Sequence, residues 1–243
     1  MKGSNLLLGI LFCAKAGNGQ TAFRPATPSA RLSIKASKAS QKIVLDGKLN
    51  EADWQLCENA SGFIQSQPDQ GTKATFGTTV KVLYDDVNIY IGAICDNPTG
   101  KVYVQDLRRD FTYNDNDLFG VFIDPFKDVQ SPVQSFLVTP LSTQRDLLIY
   151  DDRIYDLNWD AVWKAKSTIT PNNWSVEIAI PWSTLRYPSD STSWAINFNR
   201  NIRGLNQITG WSPWPLAYSV GRMAYSGLIT DIHPPKTKMN IRV

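Results

Sequence analysis

Apolar residues recur with period 2 at Trp174, Val176, Ile178 and Ile180, while Ser175 and Glu177 occupy the opposite phase. That alternation predicts a strand with one face in a core and the other wetter. The run Trp159-Asp160-Ala161-Val162-Trp163 precedes it across a Pro171-Asn172-Asn173 turn, so the two are expected to pair as a hairpin at the middle of the fold. Trp194 to Arg203 repeats the pattern, with Trp194, Ile196, Phe198 and Ile202 on one face. Upstream, Thr79 to Tyr84 and Ile89 to Cys95 flank an Asp85-Asp86-Val87-Asn88 turn and predict another hairpin. Leu118 to Ile123 is apolar throughout, Gln134 to Thr139 and Asp146 to Tyr150 form a pair around Pro140, and Arg222 to Ile229 reads as the last strand.

Helical signals are few. Asn50 stands where its side chain can cap a short helix, with Glu51 and Asp53 in the first turn and Trp54 as its anchor on the sheet. Ser183 to Leu185 can make one helical turn, and Val102 to Arg109 is compatible with a strand or a short helix. About ten short strands with turn signals every 8 to 12 residues point to an all-β protein, an antiparallel β-sandwich of jelly-roll type with one or two short helices. The sandwich is expected over residues 43–230, after an exposed leader at 21–42 with a short edge strand at Arg31 to Ile34. Residues 231–243, around His233-Pro234-Pro235-Lys236, read as a tail or a truncated linker.

Residues 1–20 change the bulk picture. Lys2, the apolar run Leu6 to Ala14, and a small-residue exit at Ala14-Lys15-Ala16 or Gly17-Asn18-Gly19 have the form of a signal peptide, too short to span a bilayer. Its removal takes Lys2 and Lys15, so 25 basic residues become 23 against 22 acidic ones and the formal charge falls from +3 to +1. No clustered excess of Lys and Arg remains to bind nucleic acid. Cys13 also leaves, and its flanks lack the small residues that precede a lipidated cysteine. Cys57 and Cys95 could then form one disulfide in an oxidising compartment or remain as two buried thiols.

The candidate chemistry is aromatic and acidic. Eight Trp, nine Tyr and ten Phe suit stacking on the apolar C–H faces of sugar rings beside polar groups for the hydroxyls. Trp159 and Trp163 around Asp160, together with Trp211 and Trp214 in a loop, are the candidate ligand contacts, with Arg109 on the polar rim. Asp115, Asp117, Asp124 and Asp128 supply hard oxygen ligands at strand ends and are the candidate set for a structural Ca2+, although their spacing is not that of a helix-loop-helix site. Catalysis has little support. His233 is the sole histidine, no nucleophile elbow or phosphate loop is present, and Asp160 with Glu177 is the one acid pair worth placing against a glycoside hydrolase mechanism.

Ile43-Val44-Leu45-Asp46-Gly47-Lys48-Leu49-Asn50-Glu51-Ala52-Asp53-Trp54 resembles the opening of the family 9 carbohydrate-binding modules and their relatives. Val82 to Asp86 with Ile89 to Gly92, and Trp174 to Pro181 with Trp194 to Phe198, resemble two further signatures of that family. Arg108-Arg109-Asp110, Asp124-Pro125-Phe126-Lys127-Asp128, Gln144-Arg145-Asp146, Trp159 to Trp163 and Ile180 to Tyr187 are similar to the variant found at the N-terminus of large Gram-negative outer-membrane barrel proteins. The likeness covers roughly residues 43–230. It implies a β-sandwich, export to the periplasm or the cell surface, noncatalytic binding of a glycan or oligosaccharide, and in some members calcium. It also implies an alternative role as an interaction or gating domain for an outer-membrane barrel region.

Overall fold

The computed structural model describes residues 31–128 and 130–236. The signal-peptide reading of residues 1–20, Cys13, the leader before residue 31 and the tail after residue 236 lie outside the described residues.

Two sheets stack face to face, as expected of an antiparallel sandwich. The five-stranded sheet runs β10 (Lys164–Ile169), β11 (Asn173–Pro181), β5 (Asn88–Asp96), β4 (Thr78–Tyr84) and β2 (Ser37–Lys38). The nine-stranded sheet runs β1 (Ser33–Lys35), β14 (Gly227–Thr230), β12 (Trp194–Ile202), β6 (Leu118–Asp124), β7 (Val133–Val138), β8 (Gln144–Tyr150) and β9 (Ile154–Asp156). A branch adds β13 (Gln207–Gly210), paired to β12, and β3 (Ile64–Gln67), paired to β13.

The inner phases are those the alternation implies. Trp174, Val176, Ile178 and Ile180 of β11 meet Trp194, Ile196 and Phe198 of β12 in one core, joined by Val80 and Val82 of β4 and Ile89 and Ile91 of β5. The hairpin itself differs from expectation. Trp159 to Trp163 is not a strand; β10 begins at Lys164 and forms the sheet edge, so β11 lies one strand in and β5 occupies the centre.

The outer phase of β11 is not wet either. Ser175 and Glu177 are buried beneath the segment that carries the helix α1 (Ala52–Leu56). Glu177 accepts hydrogen bonds from the backbone N–H groups of Asp46 (3.0 Å) and Gly47 (2.9 Å) and from Trp54 Nε1 (3.1 Å). Gly92 makes room for this cover, because a Cβ there would come within 2.6 Å of Leu49 Cδ2. The helix cap is Glu51 rather than Asn50 and makes no side-chain cap bond. Glu51 Oε1 accepts instead from the N–H of Val44, and Asp53 accepts from Ser40 and Gln41.

The folded region extends beyond 43–230 at both ends. Ile34 and Ala36 of the expected leader enter the core, with β1 parallel to β14 and β2 parallel to β4, so residues 33–38 stitch the two sheets together. Ile232 is also in the core, and the His233 ring lies 6.3 Å from that of Tyr84. Val102 to Arg109 forms neither strand nor helix, and the last strand is only Gly227–Thr230, after a 3-10 turn at Met223–Tyr225. Cys57 and Cys95 are both free and buried.

Candidate functional site

The outer face of the nine-stranded sheet is hollowed into a groove of about 370 Å3. Its floor is the outward phase of three adjacent strands: Phe122 of β6, Leu137 of β7, and Leu147 and Ile149 of β8. Strands that bury apolar side chains on both faces read as continuous apolar runs, which is the character of Leu118 to Ile123. Four aromatic rings stand around this floor: Tyr113, Tyr155, Trp214 and Tyr218. Gln67 of β3, Asn114 and Arg145 of β8 add polar groups at its margin.

Three asparagines on the outer phase of β12 hold the walls. Asn197 exchanges two bonds with the Ser212 backbone, donating to its carbonyl (2.8 Å) and accepting from its N–H (3.0 Å), which fixes the loop that carries Trp214. Asn199 donates to the Tyr113 hydroxyl and Asn201 to the Tyr113 carbonyl. Burial pushes the Tyr113 phenol well above its usual range, so it remains neutral. Gly210 is required opposite Trp214, because any Cβ there would collide with the indole ring. Gln70 Nε2 donates to the Trp214 carbonyl at 3.0 Å. Tyr218 has the Arg222 guanidinium 5.0 Å from its ring centroid, and Arg222 is ion-paired with Asp152. A cation over the ring face is attracted by the ring quadrupole. Tyr155 and Tyr218 are the wetter rings, 47% and 37% exposed.

The groove continues past Gln67, Asn114 and Ile208 into a polar cleft of about 280 Å3, where Asn201, Asn206 and Gln207 add side-chain amides. An apolar aromatic bed leading into an amide-rich cleft can take a ligand with one hydrophobic face and many hydroxyls.

Of the sequence-predicted contacts, Trp214 alone lines the groove, and it is 5% exposed. Trp211 is a correction: it is core, 5.5 Å from Phe198 between ring centroids, with Gly227 cleared to admit it. Trp163 is another correction, packed edge-on against Phe136 at 5.3 Å and buried. Its Nε1 donates to Asp146, which also accepts from the N–H of Ala161 and from Arg109. Arg109 in turn pairs with Asp160 at 2.9 Å and donates to the Ala161 carbonyl at 3.0 Å. Arg109, Asp160 and Trp163 thus form a structural clamp between the loop before β6 and the loop before β10, centred on Asp146. Burial raises the Asp146 carboxyl, while the Ala161 amide and the Trp163 indole oppose it. Trp159 is half-buried, edge-on to Phe136 at 5.7 Å, and lines a separate hollow of about 190 Å3 with Phe126, Pro132 and Arg186.

The acidic readings separate in space. Asp117 and Asp124 flank the two ends of β6, roughly 20 Å apart, so the four candidate aspartates do not converge. Asp117 accepts from the N–H groups of Tyr103 and Arg203, Asp124 from those of Phe126 and Lys127, and Asp128 from those of Gln130 and Ser131. These are turn-capping bonds, and among the described residues no three His, Cys, Asp or Glu side chains gather as a metal centre would require. The residues therefore do not fit one shared calcium ion. Asp160 and Glu177 do not make an acid pair either: Asp160 is 84% exposed beside Arg109, whereas Glu177 is sealed under Trp54.

A two-sheet β-sandwich with a grooved outer face is the class of protein these features define. Residues 45–214 match the family described as carbohydrate family 9 binding domain-like, and the chain belongs to that family. Among solved structures, a protein from Bacteroides uniformis proposed to bind carbohydrate superposes with a TM-score of 0.66 at 12% identity, covering 82% of this chain and 99% of that one. A family 9 carbohydrate-binding module from Caldicellulosiruptor kristjanssonii, solved with cellotriose, superposes at 0.57 with 16% identity, covering 87% and 98%. The same kind of module solved with glucose gives 0.57 at 16% identity, covering 87% and 100%. At these identities the likeness concerns the fold. No curated protein matches the chain in sequence.

Proposed function

We propose that this protein is a noncatalytic carbohydrate-binding module whose ligand lies in the groove on the outer face of the nine-stranded sheet. The observation that carries this reading is the set of four rings over an apolar floor, bordered by amides. Sugar C–H faces gain from aromatic contact, and hydroxyls exchange water for amide partners. Family membership and the cellotriose and glucose held by two structural neighbours support the same ligand class. The groove lining contains no Asp, Glu or His, whereas glycoside hydrolysis takes two carboxyl groups across the scissile bond. Binding, not bond cleavage, is the chemistry this lining supports.

The test is a glycan array followed by calorimetry on the best hit. Tyr218→Ala and Tyr155→Ala should each weaken binding about tenfold, equivalent to about 1.4 kcal/mol, whereas Trp159→Ala should leave it unchanged. Full affinity in both tyrosine variants with loss in Trp159→Ala would move the site to the smaller hollow. No saturable binding to any glycan would end the reading.

A second role is favoured by one observation: Ile154 and Tyr155 on the edge strand β9, and Leu157 just after it, are exposed apolar side chains in a row. Such an edge can dock on another β-structure, and an outer-membrane barrel region is the partner the sequence resemblance implies. Export belongs to the same proposal and rests on the form of residues 1–20. Cell fractionation with and without that segment tests it, and cytoplasmic retention of the full chain would reject it.

A further inference from the structure

We propose that the groove is built for an acidic sugar, with a ligand carboxylate seated on Arg145; this rests on the groove being the sugar site. Arg145 is the one charged residue that lines the groove. Its Nη1 donates to the Phe111 carbonyl, and among the described residues it has no ion pair. The acid next to it in sequence, Asp146, projects to the opposite face of β8 and is engaged by Arg109 and Trp163. Asp110 is close enough to act on Arg145 through space but stands outside the groove lining. The adjoining cleft brings Asp115 and Arg203 together, so groove and cleft combined hold two arginines against one aspartate.

A half-buried guanidinium over an apolar floor has given up water without gaining an ion pair, and desolvation outweighs the through-space influence of Asp110 on its acidity. Phe111 occupies one of its five N–H donors, which leaves donors for a ligand. A planar fork of this kind matches a carboxylate in two-point geometry, and the charge-assisted bonds are stronger than those to a neutral hydroxyl. A neutral sugar could satisfy the donors but would bring no charge to pair with the guanidinium. Hexuronates and sialates share the feature that answers it, a carboxylate on a ring that still presents an apolar face to Tyr155 and Tyr218.

The experiment compares matched probes on the purified protein by calorimetry: hexuronate and sialate oligosaccharides, and the same oligosaccharides with each carboxyl reduced to a hydroxymethyl group. The acidic member of the best pair should bind at least tenfold more tightly, and the preference should shrink as salt rises. Arg145→Gln should abolish the preference, the acidic probe losing affinity by a clearly larger factor than the reduced probe, and Arg145→Lys, which keeps the charge but not the fork, should fall between. Equal or tighter binding of the reduced probes by the unaltered protein would overturn the inference and leave the sugar groove standing. Acid preference that survives Arg145→Gln would overturn the assignment to Arg145. Absence of binding to both members of every pair, and to cellotriose, would reject the inference and the groove reading together.

Discussion

Glu177 sets two physical effects against each other, and its titration decides which prevails. The carboxylate is sealed beneath α1, and burial pushes its pKa from 4.5 up to about 7, although the N–H groups of Gly47, Asp46 and Trp54 favour the charged form. Between pH 4.5 and 7 the folded protein therefore keeps a proton that the unfolded chain releases, so stability falls as pH rises through that window. A shift of about 2.5 units corresponds to roughly 3 kcal/mol, lost progressively from pH 4.5 and fully absent above about pH 7. Glu177→Gln removes the titration while preserving volume. Urea unfolding of both proteins at half-unit steps from pH 4.5 to 8 should show the native protein losing about 3 kcal/mol relative to the variant. Asp124, pushed up to about 6 by its own burial, contributes equally to both curves and cancels. Parallel curves would mean that the three donors outweigh desolvation, and the account of this buried acid would be wrong.

Three further outcomes follow from the packing. Asp146→Ala strips partners from Arg109, Ala161 and Trp163 and should cost about 2–4 kcal/mol in chemical denaturation; Asp160→Ala, at the exposed end of the same clamp, should cost under about 1 kcal/mol. Gly92→Ala drives a methyl into Leu49 and Trp54 and should destabilise by about 1–3 kcal/mol, read as a lower urea midpoint at unchanged slope. Cys95 is fully enclosed, with its thiol pushed up to about 12 by burial, so iodoacetamide should leave it unmodified in the native protein and label it only after unfolding.

The sequence is most informative where one local rule suffices. The inner phases of β11 and β12 follow from alternation alone, because each strand presents one face to a shared core. The same rule misleads for Ser175 and Glu177, whose burial depends on Trp54, 123 residues from Glu177, and on a backbone turn at Asp46-Gly47. The local sequence around Trp211 and Trp163 does not contain the reason for their burial, which depends on Gly227 leaving room for the Trp211 indole and on Asp146 accepting from Trp163 Nε1. The groove was partly legible. An unbroken apolar run from Leu118 to Ile123 implies cover on both faces, and the Asn197-Asn199-Asn201 alternation on β12 implies a polar row that must find partners. What no local pattern contains is the meeting of Tyr113, Tyr155 and Tyr218, contributed by two separate connections and an edge strand.

The central claim is the location of the ligand, and a crystal structure of the protein with its best array glycan tests it most directly. A sugar ring lying across Tyr155 and Tyr218 above Leu147, with a polar group on Arg145, is the predicted result. A sugar seated instead against Trp159 and Pro132, or on the face covered by α1, would contradict it.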